Sequence, residues 1–337
     1  MAREKTKCMT SIGGQALIEG VMMRGKYNWS VAVREPDGGI YVEEHDLASG
    51  RKKTIETEYL EIKTLRDKYP LFRAPLLRGI AGFIDSLSIG YRALMLSAEK
   101  SDEETGEEEM SRFDAWIDRK FGDKAMKAVT VTGTVLGVAL AVLLFFVLPT
   151  WIYNLIGGAV PFMQENQVLR SLIEGVMRLA IFIGYVILCS QVEGVGRVFE
   201  YHGAEHKTIF CYENEEPLTV ENVKKHSRFH PRCGTSFMIF MLVLGILVGV
   251  FIPFTNPFLR SFTKILLIPL VVALGYEVIR FCGRHDNLFT RIISAPGMWV
   301  QRITTKEPKD DMIEVAIQAL EAVIPENGED KLPAQKS

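Results

Sequence analysis

The sequence predicts a mainly α-helical, polytopic membrane protein with about four transmembrane helices and a small α+β N-terminal region in the cytosol. Three observations predict this fold class. A charge-free apolar run fills residues 128–148, further apolar segments follow it, and residues 30–47 near the N-terminus show partial strand-like alternation around a turn sequence. About 20 apolar residues are enough for a helix to cross the roughly 30 Å hydrocarbon core of a bilayer.

The N-terminal region, residues 1–98, is predicted to hold a β-hairpin and an amphipathic helix. Two partly alternating runs flank the turn sequence at residues 36–39, "PDGG", which is typical of a hairpin. Residues 75–98 place large apolar side chains on one helical stripe. The stripe indicates either an interfacial helix or a helix packed on the hairpin, and comprises Ile80, Phe83, Ile84, Leu87, Tyr91 and Leu94. Residues 99–112 are acidic and apolar-poor, which is typical of a linker.

The transmembrane domain is predicted over residues 113–305, with a cytosolic loop at 190–236 that is rich in histidine and cysteine. The four predicted spans are Ala128–Leu148, Val168–Leu188, Phe237–Ile252 and Lys264–Phe281. Lys and Arg concentrate before the first span, between the second and third, and after the fourth. By the positive-inside rule, both termini therefore face the cytosol. The first residues lack the apolar centre of a secretory signal.

The C-terminal part is predicted to contain an amphipathic helix over residues 306–324 and a disordered tail over 325–337. The five cysteines fall on the cytosolic side in this topology and are expected to be reduced thiols. A formal net charge of -2, without a basic stripe, gives no support for nucleic-acid binding. Composition does not set the oligomeric state.

The segment "EYHGAEHK" has the highest chemical content of the chain. In a helix, His202 and His206 share one face and Glu205 lies beside both. This is the H-x-x-E-H arrangement of inverted zincins, in which two imidazoles bind zinc and the glutamate is the general base. Zinc would lower the pKa of a bound water toward about 7. The other interpretation is a polar helix end at the membrane interface.

A third metal ligand has several candidates on the same side of the predicted membrane. The sequence offers Glu277, His230 and Cys233 as ligands, with His226 and His285 as further polar candidates. Cys233 with His230 also allows a Cys-His nucleophile pair. Gathering of most histidines and cysteines near this surface favours a divalent metal, with zinc as the expected ion.

Two other polar pairs are candidates for function. Glu174 and Arg178 are spaced i, i+4 inside a predicted span, where charges are costly and either pair structurally or serve a function. Glu19 and Arg24 are interpreted either as polar partners at the membrane face or as ordinary turn residues.

The segments "GGQALIEGVMMRG", "RVFEYHGAEHKTIFCYE" and "HPRCGTSF", with "TTKEP" and "EVAIQAL", resemble the YqhQ-like family of bacterial membrane proteins. The similarity spans nearly the whole chain. That family has no established function, and its members are sometimes described as metal-dependent enzymes. The resemblance implies an integral protein of the bacterial plasma membrane and favours metal at His202, Glu205 and His206.

The expected function is that of a membrane-embedded, metal-dependent enzyme, a hydrolase acting at the cytosolic membrane surface. Its partners would be the lipid bilayer and a lipid-linked or juxtamembrane substrate. The alternative is a non-catalytic transport or scaffold protein, whose interfacial histidines are structural and whose Glu174 and Arg178 line a path or an interface.

Overall fold

The computed structural model describes residues 6–47, 64–101, 123–157, 166–282 and 287–333. Most of the predicted acidic linker at 99–112 lies outside these ranges. The chain forms two compact units. The sheet unit comprises residues 1–102, 185–241 and 269–337, and the span unit comprises residues 103–184 and 242–268. These divisions differ from the predicted boundaries at 98 and 305, because the N-terminal sheet packs with helices from distant parts of the chain.

The protein is mainly helical with a small antiparallel sheet near its N-terminus. Strands β2 to β5 form a four-stranded meander, in which each strand pairs with the next. The six strands are β1 Cys8–Thr10, β2 Gly13–Leu17, β3 Gly20–Arg24, β4 Asn28–Arg34, β5 Ile40–Asp46 and β6 Lys331–Pro333. The predicted hairpin around residues 36–39 is confirmed as β4 and β5.

The short strand β6 pairs antiparallel with β1, with Met9 opposite Leu332. The prediction of a disordered tail over 325–337 is therefore wrong for residues 331–333, and residues 334–337 lie outside the described part of the chain. Thr10 Oγ1 also donates to Asp330 Oδ2 at 2.5 Å. Backbone pairing with β1 and this buried contact give the polar segment an order that its composition alone does not indicate.

The sheet is covered by helices on both faces. Val21, Met23 and Ala32 belong to the larger apolar cluster, which includes residues of helices 193–213 and 310–321. The alternate strand positions, among them Val31 and Val33, belong to a second cluster that includes residues of helix 77–101. Because β3 and β4 are buried on both faces, their sequences lack the alternation that marks a half-exposed strand.

Twelve α-helices are described, numbered here in chain order, within the ranges given above. They are α1 Leu65–Lys68, α2 Leu77–Ser101, α3 Asp123–Val142, α4 Leu148–Gly157, α5 Gln167–Cys189, α6 Glu193–Glu213, α7 Val220–Lys224, α8 Gly234–Gly249, α9 Pro257–Leu266, α10 Ile268–Cys282, α11 Leu288–Thr304 and α12 Asp310–Glu321. A π-helical turn at Leu143–Val147 joins α3 to α4. The predicted C-terminal helix is present as α12.

Helix α2 packs on the sheet through Ile89 and smaller side chains. Gly82, Ile89 and Ala93 lie on its buried side, and Ser97 Oγ donates to the Ile18 carbonyl at 2.6 Å. The predicted large apolar stripe faces the other way, with Leu87 and Tyr91 58% and 59% exposed. The helix is thus confirmed, but the face that contacts the sheet consists of Ile89 and smaller residues and is not the predicted stripe.

Two described helices are long and apolar enough to cross a membrane, Val131–Gly157 and Gln167–Cys189. The pair α9 and α10, bent by 45°, would add a third if it forms one span. Helix α8 is apolar but shorter. The structure therefore supports two to three spans by length and composition, where the sequence predicted about four.

Candidate metal centre

Helix α6 carries His202, Glu205 and His206. Its N-terminus follows a turn, because Ser190, Gln191 and Val192 separate it from α5. The histidine motif is therefore carried by a helix separate from α5. The predicted shared face is confirmed, since the two imidazole rings have centroids 4.4 Å apart.

Backbone carbonyls fix the orientation of both imidazoles. His202 Nδ1 lies 2.9 Å from the Thr304 carbonyl oxygen, and His206 Nδ1 lies 2.6 Å from the Arg228 carbonyl oxygen. A carbonyl oxygen only accepts, so each Nδ1 carries the donating hydrogen and each Nε2 is left as the potential ligand atom. Histidines that bind metal are commonly oriented in this way by their second nitrogen.

Cys233 directly precedes helix α8 and completes a group of three ligand atoms. Its Sγ lies 3.1 Å from His202 Nε2 and accepts from Thr235 N at 3.5 Å. The ligand atoms of His202, His206 and Cys233 all lie within 4.8 Å of one another. His206 Nε2 is buried and has no hydrogen-bond partner among the described residues. The donors at the centre are therefore two imidazole nitrogens and one sulfur.

The charges at this centre favour a thiolate beside a protonated imidazole when metal is absent. Burial alone would raise the pKa of the Cys233 thiol, but the charges of His206 and His202 outweigh burial and hold it well below its usual range. Burial would likewise lower the pKa of His202, yet the charge and hydrogen bond of Cys233 raise it to about 9. A thiolate is the form of cysteine that binds metal or attacks as a nucleophile.

Glu205 is buried beside the three ligands but is not one of the group. Burial raises the pKa of its carboxyl, against the opposing charges of His206 and His202. Gly14 on β2 lies against this carboxyl, and its backbone N–H opposes the rise in the pKa. A Cβ at position 14 would lie 2.7 Å from the Met22 carbonyl oxygen and 2.9 Å from Glu205 Cδ, so only glycine fits here.

Gly203 allows the segment after α11 to cross helix α6. Lys306 N donates to the Phe199 carbonyl at 2.8 Å. A Cβ on Gly203 would lie only 2.0 Å from Lys306 O. The close crossing places the neighbouring Thr304 carbonyl against His202. Glycine at position 203 is therefore required by this backbone contact.

Other predicted ligands lie elsewhere. His230 is next to His206, with ring centroids 5.5 Å apart, but its Nε2 lies 3.8 Å from Glu213 Oε2. Burial lowers the pKa of His230 to about 4. Glu277 accepts from Arg78 Nε at 2.7 Å and belongs to neither potential ligand group found among the described residues.

The remaining candidates are distributed as follows. His226 groups with Cys211 and Glu216, and His285 lies outside the described residues. Glu19 occupies the β2–β3 turn with a φ of 48° and pairs with Arg197. Arg24 lies in β3 and donates to Ser86 Oγ at 3.2 Å. In these contacts, Glu19 and Arg24 therefore have different partners.

In the span unit, the predicted Glu174–Arg178 ion pair is replaced by other contacts. Glu174 is paired with three cations, Arg170, Arg260 and Lys264. Arg178 Nε instead donates to the Phe145 carbonyl at 2.7 Å. Spacing of i, i+4 allows Glu174 to meet either 170 or 178, and the structure uses the earlier position.

Sequence reasoning missed the backbone groups that organise the centre: the carbonyls of Thr304 and Arg228 and the N–H of Gly14. The one available signal was the glycines at positions 14 and 203, because a glycine beside a polar motif often marks a close backbone approach. Neither glycine identifies its partner.

The fold and centre define a mainly helical protein with candidate membrane helices, a small antiparallel sheet and a buried histidine–cysteine cluster. A family model described as "Protein of unknown function (DUF1385)" matches residues 74–326. The chain is also 32% identical over 326 residues to "Uncharacterized protein YqhQ" of Bacillus subtilis (strain 168), covering 95% of this chain and 94% of the relative. The chain belongs to this family, as its resemblance to YqhQ-like proteins predicted. No solved structure matches.

Proposed function

We propose that this protein is a membrane-embedded, zinc-dependent hydrolase that acts at the cytosolic surface of the bacterial plasma membrane. The observation that carries the proposal is the convergence of His202, His206 and Cys233, in which both Nδ1 atoms are committed to carbonyls. Three protein ligands with an open fourth position are typical of catalytic zinc, whereas structural zinc has four.

The three donors fit zinc after a small adjustment. Zinc–ligand distances of about 2.0–2.3 Å in a tetrahedron imply an N···S separation of about 3.6 Å. His202 Nε2 and Cys233 Sγ lie 3.1 Å apart, so this pair would separate by about half an ångström on binding. When bound, zinc would supply Lewis-acid activation of water and of the bond to be cleaved.

Glu205 is proposed as the general base. Its carboxyl is buried and adjacent to the proposed ligands, and Gly14 packs against it. A raised pKa moves a carboxyl toward the operating pH, where it accepts and returns protons most effectively. The carbonyls of Thr304 and Arg228 accept from the Nδ1 atoms of the two imidazoles. Each neutral imidazole therefore keeps its Nε2 lone pair for the metal.

The proposed membrane arrangement has about four spans, with both termini in the cytosol. It counts the two long apolar helices, the bent α9–α10 pair and the shorter α8. Cys233 stands at the N-terminus of α8, which supports a centre at the membrane surface. The exposed apolar stripe of α2 also fits lipid contact. A lipid-linked or juxtamembrane substrate would suit this location.

The test is metal analysis of protein purified in detergent, combined with hydrolysis assays on lipid-linked and peptide substrates. His202→Ala plus His206→Ala should remove one metal ion per chain, while Glu205→Gln should keep the metal and lose hydrolysis. His45→Ala is the matched control, because this histidine is not a proposed ligand. Its ring stacks on Trp29 instead, with ring centroids 4.1 Å apart. Unchanged metal content in the double variant would refute the proposal.

A cysteine nucleophile is the second candidate, favoured by the 3.1 Å contact between Cys233 Sγ and His202 Nε2. The thiolate lies at a helix N-terminus, a position that stabilises negative charge. Rapid alkylation of Cys233 that zinc does not slow, together with full activity in chelator, would favour the nucleophile over the metal.

The non-catalytic alternative finds support in the span unit. Glu174 and its three cations are buried, with Arg260 0% exposed. Buried charges among apolar helices are costly and are found where they pair or serve transport. If Glu205→Gln preserves cellular function and Glu174→Gln abolishes it, a transport or scaffold role replaces the enzyme.

A further inference from the structure

A second group of metal-ligating side chains lies at the C-terminal end of helix α6. The ligand atoms of Cys211, Glu216 and His226 all lie within 4.8 Å of one another. Cys211 comes from α6, Glu216 from the turn after it, and His226 from the residues that follow α7. None of the three belongs to the centre at His202, and the proposed hydrolase does not use them.

We propose that Cys211, Glu216 and His226 form a second divalent-cation site, which binds zinc with one position left for solvent. Sulfur, imidazole nitrogen and carboxylate oxygen are the three ligand types that zinc takes from proteins.

The measured spacing fits a tetrahedral ion. His226 Nε2 lies 3.4 Å from Glu216 Oε2. Zinc–nitrogen and zinc–oxygen distances of about 2.0–2.2 Å imply an N···O edge of about 3.4 Å in a tetrahedron. The pair thus already has the separation that a shared ion requires, without the adjustment needed at the first centre.

The backbone holds this arrangement in place. Glu215 adopts a φ of 55°, a left-handed conformation that is uncommon for a residue other than glycine. Glu216 N then donates back to the Cys211 carbonyl at 3.2 Å, so the turn returns the carboxylate to the buried cysteine.

Burial and access differ among the ligands in a way that suits an exchangeable ion. Cys211 and His226 are 0% and 8% exposed, while the Glu216 side chain is 40% exposed. Solvent therefore reaches the site from the carboxylate side.

The test is a cobalt titration of metal-free protein in detergent, in which the thiolate-to-cobalt absorbance counts sulfur-bound ions. Wild type should bind two ions. Cys211→Ser or His226→Ala should remove one, and Cys233→Ser should remove the other. Cys8→Ser is the matched control, because that buried thiol donates to the Glu213 carbonyl at 3.3 Å and belongs to neither group.

Glu216→Gln guards against variants that merely misfold, because this side chain is largely at the surface. The variant should leave the melting temperature of the metal-free protein unchanged. It should weaken the binding of one of the two cobalt ions at least tenfold, because losing even an outer-shell partner of a metal site weakens metal affinity by about that factor. The second site would be overturned if Cys211→Ser still bound two cobalt ions with the wild-type absorbance. It would also be overturned if wild type bound a single cobalt ion and Cys233→Ser removed it. One ion that only Cys211→Ser removes would instead overturn the proposed hydrolase centre.

Discussion

Substitution of Gly203 by alanine tests whether the crossing of α6 by the segment after α11 organises the centre. Helix propensity alone favours alanine over glycine by about 1 kcal/mol. The new Cβ would, however, lie 2.0 Å from Lys306 O, a backbone atom that has no rotamer with which to move away. Because real contacts of this kind stay beyond about 3 Å, the segment must shift by about 1 Å.

The shift has a cost that can be assembled from its parts. Overpacking costs about 1–3 kcal/mol, and loss of the Lys306 N to Phe199 O hydrogen bond costs about 1 kcal/mol. After the propensity gain, Gly203→Ala should lower the free energy of unfolding by about 1–3 kcal/mol. The Thr304 carbonyl moves with the same segment, so zinc affinity should fall by about 10–100-fold.

The assay is thermal unfolding in detergent, with and without zinc, beside a matched variant in the same helix. Gly194→Ala is suitable, because its Cβ would meet no atom within 4 Å. That control should be neutral or stabilised by up to about 1 kcal/mol. If Gly203→Ala were as stable as Gly194→Ala and bound zinc equally well, the backbone crossing would have no role in the centre.

Three further predictions concern separate parts of the molecule. Glu174→Gln should lower the free energy of unfolding by about 3–5 kcal/mol, because three buried cations lose their carboxylate; a melting temperature equal to wild type would contradict this. Since the pKa of His230 falls from 6.5 to about 4 on folding, the unfolded chain alone takes up its proton between these values, and stability should fall as pH drops through this window. His230→Asn should flatten that dependence in melting curves recorded from pH 7 to 4, and an unaltered slope would exclude His230 as its source. Gly14→Ala should reduce hydrolysis more than zinc content, because it displaces Glu205 and not the ligands; equal losses in both measurements would argue against this role.

The sequence was most informative where function depends on short spacing. The i, i+4 pattern placed His202 and His206 on one face, and the nearby histidine–cysteine segment supplied Cys233 as a ligand candidate. The same rule failed for Glu174, because residues 170 and 178 are equally spaced from it and only tertiary contacts decide between them. Local pattern therefore identified the candidate ligands but not every ion pair.

Contacts between distant segments were beyond prediction from local pattern. Strands β2 and β3 were missed because β3 is buried on both faces and carries no alternating signal. The roles of Gly14 and Gly203 depend on Glu205 and Lys306, which are far away in the chain. The disordered-tail prediction failed for a related reason, since polar residues 331–333 gain order from the N-terminal strand.

The pairing of Met9 with Leu332 has a consequence for biogenesis. Translation delivers the first strand long before its partner, and the apolar helices that the structure describes leave the ribosome in the interval. The two-stranded ribbon thus closes only after those helices have been made, and a nascent chain stalled ahead of residue 331 would expose an unpaired edge that chaperones or proteases can recognise.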